Sequence, residues 1–393
     1  MNNADLISRH NASFTGNYGK LPVAMVRGDG SRLWDADGKT YIDFFAGFGG
    51  TILGHCHPAL IAAITAQAGK VWAVGNQFYS EPQIRLAEHL RAKAFEGQAF
   101  FCHSGAEAAE AAIKLARLSA GPGKFKIISF HKGFHGRTLG ALSATPGKYQ
   151  DGFAPLMPGF VYATYNDLPS LNAVADDQTA AILLEPIQGE GGINLPTPQF
   201  LQDVRKLCDQ RGIVLIFDEV WTGVGRTGKY FGHQHFGVVP DIMTMGKALG
   251  GGMPVGGILA RPSRAAFLKP GTHGCTLGGN PICAAVAAAV FDTLEKDNLV
   301  DHAAKLGAWA MDKIRGFGGK AGSRIMDVRG RGLFIGVELD LPDGTPVQMA
   351  ALAKGLSINV TQKTVVRLCP ALTIDQETMS RGLEIFEHAI AGV

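Results

Sequence analysis

The sequence predicts an α/β fold built on a mainly parallel sheet, and three observations support that expectation. Short β-branched or aromatic runs alternate with amphipathic stretches through the middle of the chain. The run Ile213-Val214-Leu215-Ile216-Phe217 is continuously apolar, as a strand buried on both faces of a parallel sheet must be. Glycine is in excess, 52 of 393 residues, which suits tight turns and places where the backbone closely approaches a neighbour.

In chain order, residues 99–102 read as a strand and 106 to about 119 as the helix that follows it. Strands are expected at 125–130 and 181–185. A helix at 198–211 has Pro198 at its start and Gly212 just past its end, the usual helix punctuation. Strands at 213–217, 242–245 and 256–260 continue the alternation. From about residue 300 the character changes: a helix at 301–315, a glycine-rich strand region at 330–338 and a final helix suggest a smaller α+β domain. The division expected is an N-terminal segment 1–52 that joins the small domain, a large domain 53–298 and a C-terminal part 299–393.

Composition excludes several function classes. Lys and Arg number 37 against 34 Asp and Glu, so no basic surface for nucleic acid is implied. Cys56, Cys102, Cys208, Cys275, Cys283 and Cys369 are scattered with no C-x-x-C pair, which argues against a structural zinc site and for reduced thiols; no metal is expected. The start Met1-Asn2-Asn3-Ala4-Asp5 does not read as a signal peptide, and the apolar stretch 282–291 falls well short of the ~20 residues of a membrane span. A cytoplasmic protein without membrane contact is the expectation.

Chemistry concentrates at strand ends. Asp218 and Glu219 close the apolar strand, where open α/β sheets bind ligands, and a carboxylate there would pair with a protonated ring nitrogen. Lys247 follows the next strand, between it and Gly250-Gly251-Gly252; in an apolar pocket or beside other cations its amine would become a nucleophile toward aldehydes. Ser104-Gly105-Ala106-Glu107 joins a strand to a helix, and Ser104 with Glu107 matches a capping box. A plain capped helix uses those two residues in the same way; Gly105 is what favours an anion at the exposed N–H groups. Gly223, Gly225 and Gly228 imitate a dinucleotide loop, and with Lys229 most of a P-loop. Tyr230 stands where a magnesium-binding hydroxyl is needed, however, and the loop lies mid-chain. A nucleotide-binding module using residues 223–229 is the alternative of a different class. His55-Cys56-His57-Pro58 has no partner pair at metal-ligand spacing and reads as structural.

Taken together, these blocks resemble the class III pyridoxal-phosphate aminotransferases, closest to the acetylornithine and ornithine aminotransferase branch. The resemblance runs from about Leu21 to Ile374. It includes Gly54-His55-Cys56-His57-Pro58, Ser104-Gly105-Ala106-Glu107-Ala108, Phe134-His135-Gly136-Arg137-Thr138, Glu185-Pro186-Ile187-Gln188-Gly189-Glu190, Asp218-Glu219-Val220, Gly225-Arg226-Thr227-Gly228, Lys247-Ala248-Leu249-Gly250-Gly251 and Thr276-Leu277-Gly278-Gly279-Asn280-Pro281. It implies fold-type I architecture, with pyridoxal 5'-phosphate bound in the large domain as a Schiff base of Lys247.

Further roles follow from the resemblance alone. Asp218 would hold the pyridine nitrogen, with Val220 behind the ring and Phe134, followed by His135, on its other face. Ser104, Gly105 and Ala106 would hold the phosphate. Thr276 would reach the phosphate in a neighbouring subunit, implying a homodimer with shared active sites. Arg137 would bind one substrate carboxylate and Arg367 a second, each by a bidentate fork. Glu190 would pair with Arg367 when the amine donor has no carboxylate there, and Tyr18 would help hold the α-carboxylate. The implied reaction is ping-pong transfer of the terminal amine of N-acetylornithine or ornithine to 2-oxoglutarate, giving the semialdehyde and glutamate. Transamination of 4-aminobutyrate or another ω-amine is the rival on the same scaffold. Three positions depart from the family pattern and bear on the donor: Trp221 where Gln is frequent, Leu277 where an aromatic is usual, and Phe48 where ornithine aminotransferase has tyrosine.

Overall fold

The computed structural model describes residues 1–318 and 323–393. Its centre is a seven-stranded sheet in the order Gln98–Cys102, Gly256–Ala260, Ile242–Met245, Val214–Asp218, Thr179–Leu184, Lys126–Phe130, Phe160–Ala163. Every neighbouring pair from Ile242–Met245 to Phe160–Ala163 is parallel, whereas Gly256–Ala260 runs antiparallel to both its neighbours. The mainly parallel sheet expected from sequence is present. The strands at 98–102, 126–130, 179–184 and 214–218 agree with the expected ones to within a residue or two. The edge strand Phe160–Ala163 was not expected; it is short and mostly half-buried, so its residues show no continuous apolar run.

Val214–Asp218 is buried at every position, as its composition requires. The helix Gly105–Ser119 packs on the sheet through a face of small residues, Ala108, Ala109, Ala111, Ala112 and Ala116, which lets the backbone approach closely. The helix Pro198–Arg211 has Thr197 as its N-cap, and Gly212 ends it at φ 60°, the left-handed conformation in which a side chain would be strained.

The two chain ends build the smaller part. Met25–Asp29, Arg32–Asp35 and Thr40–Asp43 form a sheet completed by Leu356–Ser357, which runs parallel to Thr40–Asp43. A second antiparallel sheet has the order Ile325–Arg331, Phe334–Leu339, Val365–Leu368, Asn359–Thr361. The expected helix at 301–315 spans Leu299–Gly318, and the apolar stretch at 282–291 lies inside the helix Pro281–Lys296. No helix among the described residues is long and apolar enough to cross a membrane.

Candidate active site

The parallel strands all deliver their carboxyl ends to one edge of the sheet, the edge at which open α/β folds bind ligands. Ser104 follows Gln98–Cys102, the 131–137 loop follows Lys126–Phe130, Glu185 follows Thr179–Leu184, Asp218 ends Val214–Asp218, and Lys247 follows Ile242–Met245. Residues far apart in sequence therefore meet there by topology.

Packing then joins them. Ser104 caps the helix through its Oγ, which accepts from the Glu107 N–H at 3.2 Å. The reciprocal half of the expected capping box is redirected: Glu107 accepts from the backbone N–H of His103 at 2.8 Å and from the Ser104 hydroxyl at 3.1 Å, in place of the Ser104 backbone N–H. A Cβ on Gly105 would lie 2.8 Å from Val220 Cγ1, and one on Gly136 (φ 138°) would lie 2.7 Å from the Ala106 side chain. The Ser104–Ala106 turn is thus pressed against Val220 on one side and the Phe134–Arg137 loop on the other, at distances only glycine permits.

Asp218 is buried. One carboxylate oxygen lies 2.7 Å from His135 Nδ1, and the other accepts from the Val220 N–H at 3.1 Å. Glu185, a buried acid to which the sequence reading gave no role, accepts from the N–H groups of Phe134 (3.0 Å) and Gly189 (2.8 Å), tying two site loops together. Burial pushes its pKa up to about 7 and the Asp218 charge adds to the rise, against the pull of His135 and those two amides.

Lys247 holds a left-handed backbone (φ 43°), an unfavourable conformation for a side chain that the surrounding fold must impose. Burial lowers its amine to about pKa 8, with Arg367 lowering it further and the charges of Glu190 and Asp218 opposing. Its Nζ sits 4.2 Å from the centroid of the Trp221 ring, and the guanidinium of Arg367 sits 4.6 Å from the same centroid. One buried indole therefore faces two cations. Trp221 Nε1 and Arg367 Nε are both buried without a hydrogen-bond partner among the described residues, which marks unfinished polar capacity beside the lysine.

Arg367 is 1% exposed and donates to Glu190 Oε1 at 2.9 Å and to Asn359 Oδ1 at 2.5 Å. The peptide oxygen of Glu190 is held at 2.8 Å by both Thr361 Oγ1 and Gln362 Nε2. Arg137 is exposed, with its guanidinium 4.1 Å from the Tyr149 ring centroid and 5.5 Å from that of Phe134. Burial raises the Tyr149 phenol, as does the Glu190 charge, while Arg137 and Arg367 lower it; Tyr149 therefore stands within electrostatic reach of both arginines. Neither Tyr149 nor Asn359 was expected from sequence, because nothing in their local sequence marks them.

Two expected site residues stand apart from this cluster within the single chain. Tyr18 is 70% exposed, with the Lys20 ammonium 5.7 Å from its ring centroid. Thr276 lies in an exposed loop held by Asn76, which donates to the Cys275 oxygen at 2.9 Å, and by Gln83, which donates to the Gly279 oxygen at 2.7 Å. Phe48 is half exposed and packs edge-on to Phe45, and Leu277 is exposed. The glycine loop at 223–229 is largely buried and wedged against the smaller part. Arg226 donates to the oxygens of Leu333 and Pro370, and the loop is followed by only a four-residue 3-10 helix, Gly232–His235, too short to cradle a phosphate. His55 and His57 act structurally, on Asp43 and as a helix N-cap.

Pyridoxal phosphate fits this arrangement. A buried amine able to lose its proton near neutrality, a buried carboxylate at a strand end and a glycine-paved helix start match an aldehyde, a ring nitrogen and a phosphate in turn. Capture of pyridoxal phosphate by the apoprotein is accordingly expected to quicken as pH rises through about 8 and then level off. The neutral amine is the attacking form, so an unperturbed lysine would keep quickening to about pH 10. A stopped-flow pH series on bound-cofactor absorbance separates the two.

Comparison with known proteins agrees with the geometry. The model of the family described as class-III aminotransferases matches residues 14–390. An acetylornithine aminotransferase of Caldanaerobacter subterraneus subsp. tengcongensis is 44% identical, with 96% of each chain covered. One of Methanocaldococcus jannaschii is 46% identical over 92% of this chain and 91% of that protein. The crystal structure of the ornithine aminotransferase of Toxoplasma gondii ME49 superposes with a TM-score of 0.95 at 34% identity, covering 100% of this chain and 96% of that one.

Proposed function

This chain belongs to the class-III aminotransferases, enzymes that use pyridoxal phosphate, and from that premise we propose that it moves the terminal amine of N-acetylornithine or ornithine to 2-oxoglutarate. The products are the corresponding semialdehyde and glutamate, formed in two half-reactions. The observation that supports this reading most directly is the buried Arg367–Glu190 pair beside Lys247.

Bound pyridoxal phosphate supplies the carbon that takes up the amino group and a ring that disperses the electron pair left on the substrate. Lys247 Nζ removes the proton from the amine-bearing carbon of the donor, and in the second half-reaction returns one to the keto carbon of the acceptor. Asp218 keeps the ring nitrogen protonated, with His135 and the Val220 N–H fixing the carboxylate in place. Val220 and Phe134 would hold the ring, and Ser104, Gly105 and Ala106 would hold the phosphate. Arg137 binds the α-carboxylate, with Tyr149 beneath its guanidinium, and Tyr18 assists from the N-terminal segment.

Specificity between the halves comes from Glu190. With 2-oxoglutarate or glutamate bound, the α-carboxylate, on the carbon that reacts at Lys247, takes Arg367, and the side-chain carboxylate goes to Arg137. With a donor that has only an amine at that end, Glu190 closes on Arg367 and neutralises it, since an unpaired buried guanidinium is costly. Glu190 is the more exposed partner, 17% against 1%, so it is the one free to swing while Asn359 keeps Arg367 in place. Glu190→Gln is therefore expected to slow the ornithine-type half-reaction by about ten- to a hundredfold, the ~1.5–3 kcal/mol of a hydrogen bond to a charged group, and to spare the glutamate half-reaction. Single-turnover absorbance with each donor reads this directly. The same assay on the unmutated enzyme tests the substrate: 4-aminobutyrate reacting faster than both ornithines would overturn the assignment.

The proposal includes a homodimer with shared sites. Trp72, Phe78, Tyr79 and Leu277 are large apolar side chains left exposed around the Thr276 loop, Tyr79 at 99%. A cavity of about 970 Å³ opens between Asn76 and Thr276. A second copy covering these residues would bring Thr276 to the partner's cofactor phosphate.

A further inference from the structure

Three side chains outside the machinery described above converge at the start of the helix Gly105–Ser119. His103 Nδ1 lies 3.2 Å from Glu107 Oε1, and Cys275 Sγ lies 3.4 Å from His103 Nδ1. The three ligand atoms all fall within 4.8 Å of one another. A tetrahedral zinc ion with usual bond lengths sets nitrogen and oxygen ligands about 3.4 Å apart and sulfur and nitrogen about 3.6 Å apart. Both edges lie within about 0.2 Å of those of an occupied site, and the Cys275–Glu107 edge is no longer than 4.8 Å.

We propose that His103 Nδ1, Glu107 Oε1 and Cys275 Sγ form a binding site for zinc or a similar borderline divalent cation, with the fourth position open. The donor set of one imidazole, one carboxylate and one thiolate suits such a cation better than magnesium or calcium, which take oxygen ligands. The site is already braced. Glu107 Oε2 accepts from the His103 N–H at 2.8 Å and from Ser104 Oγ at 3.1 Å, which fixes the carboxylate and leaves Oε1 for the ion. Burial pushes the Cys275 thiol up and the Glu107 charge adds to it, so without metal the sulfur keeps its proton. On binding, the S–H bond breaks, a metal–sulfur bond forms and the proton passes to the buffer.

The consequence lies in what the ion would join. His103 and Glu107 flank the Ser104–Ala106 turn, and Cys275 immediately precedes Thr276. Occupancy would tie the turn assigned to this subunit's phosphate to the loop assigned to the partner's. That consequence rests on the proposed function; the binding site itself does not.

The test uses the holoenzyme dialysed against chelator and then titrated with Zn²⁺ at micromolar concentration, with metal retained after desalting measured by elemental analysis. The expected result is one zinc per chain, with about one proton released for each. Cys275→Ser and His103→Asn should each weaken binding beyond the ~10–100-fold typical of losing a group that only supports a ligand. Cys56→Ser, at an exposed thiol elsewhere, should leave it unchanged. With Cd²⁺ as probe, a thiolate-to-metal absorption should appear in the parent protein and vanish in Cys275→Ser. Failure to retain zinc, or an affinity unchanged from the parent protein in either Cys275→Ser or His103→Asn, overturns the proposal. A cadmium–thiolate band that persists in Cys275→Ser also overturns it, by moving the site to another cysteine. The substrate panel can fail with none of these results changing.

Discussion

Lys247→Ala is expected to lower kcat at least about 10³-fold while the chain folds and still holds pyridoxal phosphate without a covalent bond. The size of the loss follows from the two roles one amine fills. In the proposed mechanism it is the nucleophile, made reactive by a burial that brings its pKa to about 8, and also the base that carries the proton in both halves of the cycle. Affinity for the cofactor should fall much less, because the Ser104–Ala106 turn, Asp218 and Val220 are untouched. Folding should also survive, since alanine removes a cation from the face of Trp221 and leaves no buried polar group behind. Absorbance of the purified variant reads the missing covalent bond, and steady-state kinetics reads the turnover. Lys247→Arg separates charge from reactivity: it keeps a cation near Trp221 but not the amine, and should be as inactive as alanine. Retention of a tenth of the parent kcat in either variant would remove Lys247 from the reaction.

Asp218→Asn is the second large effect, a fall in kcat of about 10²–10³-fold shared by both half-reactions. The amide nearly matches the carboxylate in shape, and its oxygen still accepts from one of the two donors, His135 or Val220. What it lacks is the charge that keeps a pyridine nitrogen protonated, so the loss should appear in kcat more than in KM for either substrate. This pattern distinguishes it from Glu190→Gln, which should discriminate between donors. A uniform rise in KM with kcat preserved would make Asp218 a structural acid at a strand end.

Much of the fold was legible because parallel strands buried on both faces must be continuously apolar, as in Val214–Asp218, and because Thr197, Pro198 and Gly212 punctuate a helix by backbone chemistry that leaves a local trace. Direction was not legible. Gly256–Ala260 is as apolar as its neighbours yet runs against them, and no residue of a buried strand records which way its partner points. The same division applies to the site. Lys247, Asp218 and the Ser104 turn stand at strand ends, where sequence position already suggests function. Glu185 could have been noticed, as an acid ending an apolar strand. Tyr149 under Arg137 and Asn359 behind Arg367 could not, because their significance arises only when separate loops meet. Cys275 beside His103 is the extreme case: spacing rules for metal ligands search locally, and these two residues lie 172 positions apart.

The sheet order also has a consequence for the history of each molecule. Among the described residues the strand Gln98–Cys102, which ends at the Ser104–Ala106 turn, pairs with Gly256–Ala260 alone, and Thr40–Asp43 gains its second neighbour from Leu356–Ser357. A chain emerging from the ribosome therefore carries the first of these strands with an open edge until about two thirds of it has been made, and the second until well into its last third, a topology that folds slowly and is exposed to aggregation on the way. Arg367 arrives later still. On the proposed mechanism, substrate selection is thus among the last properties this polypeptide acquires, and a chain cut short before that strand would lack the arginine to which that choice is assigned.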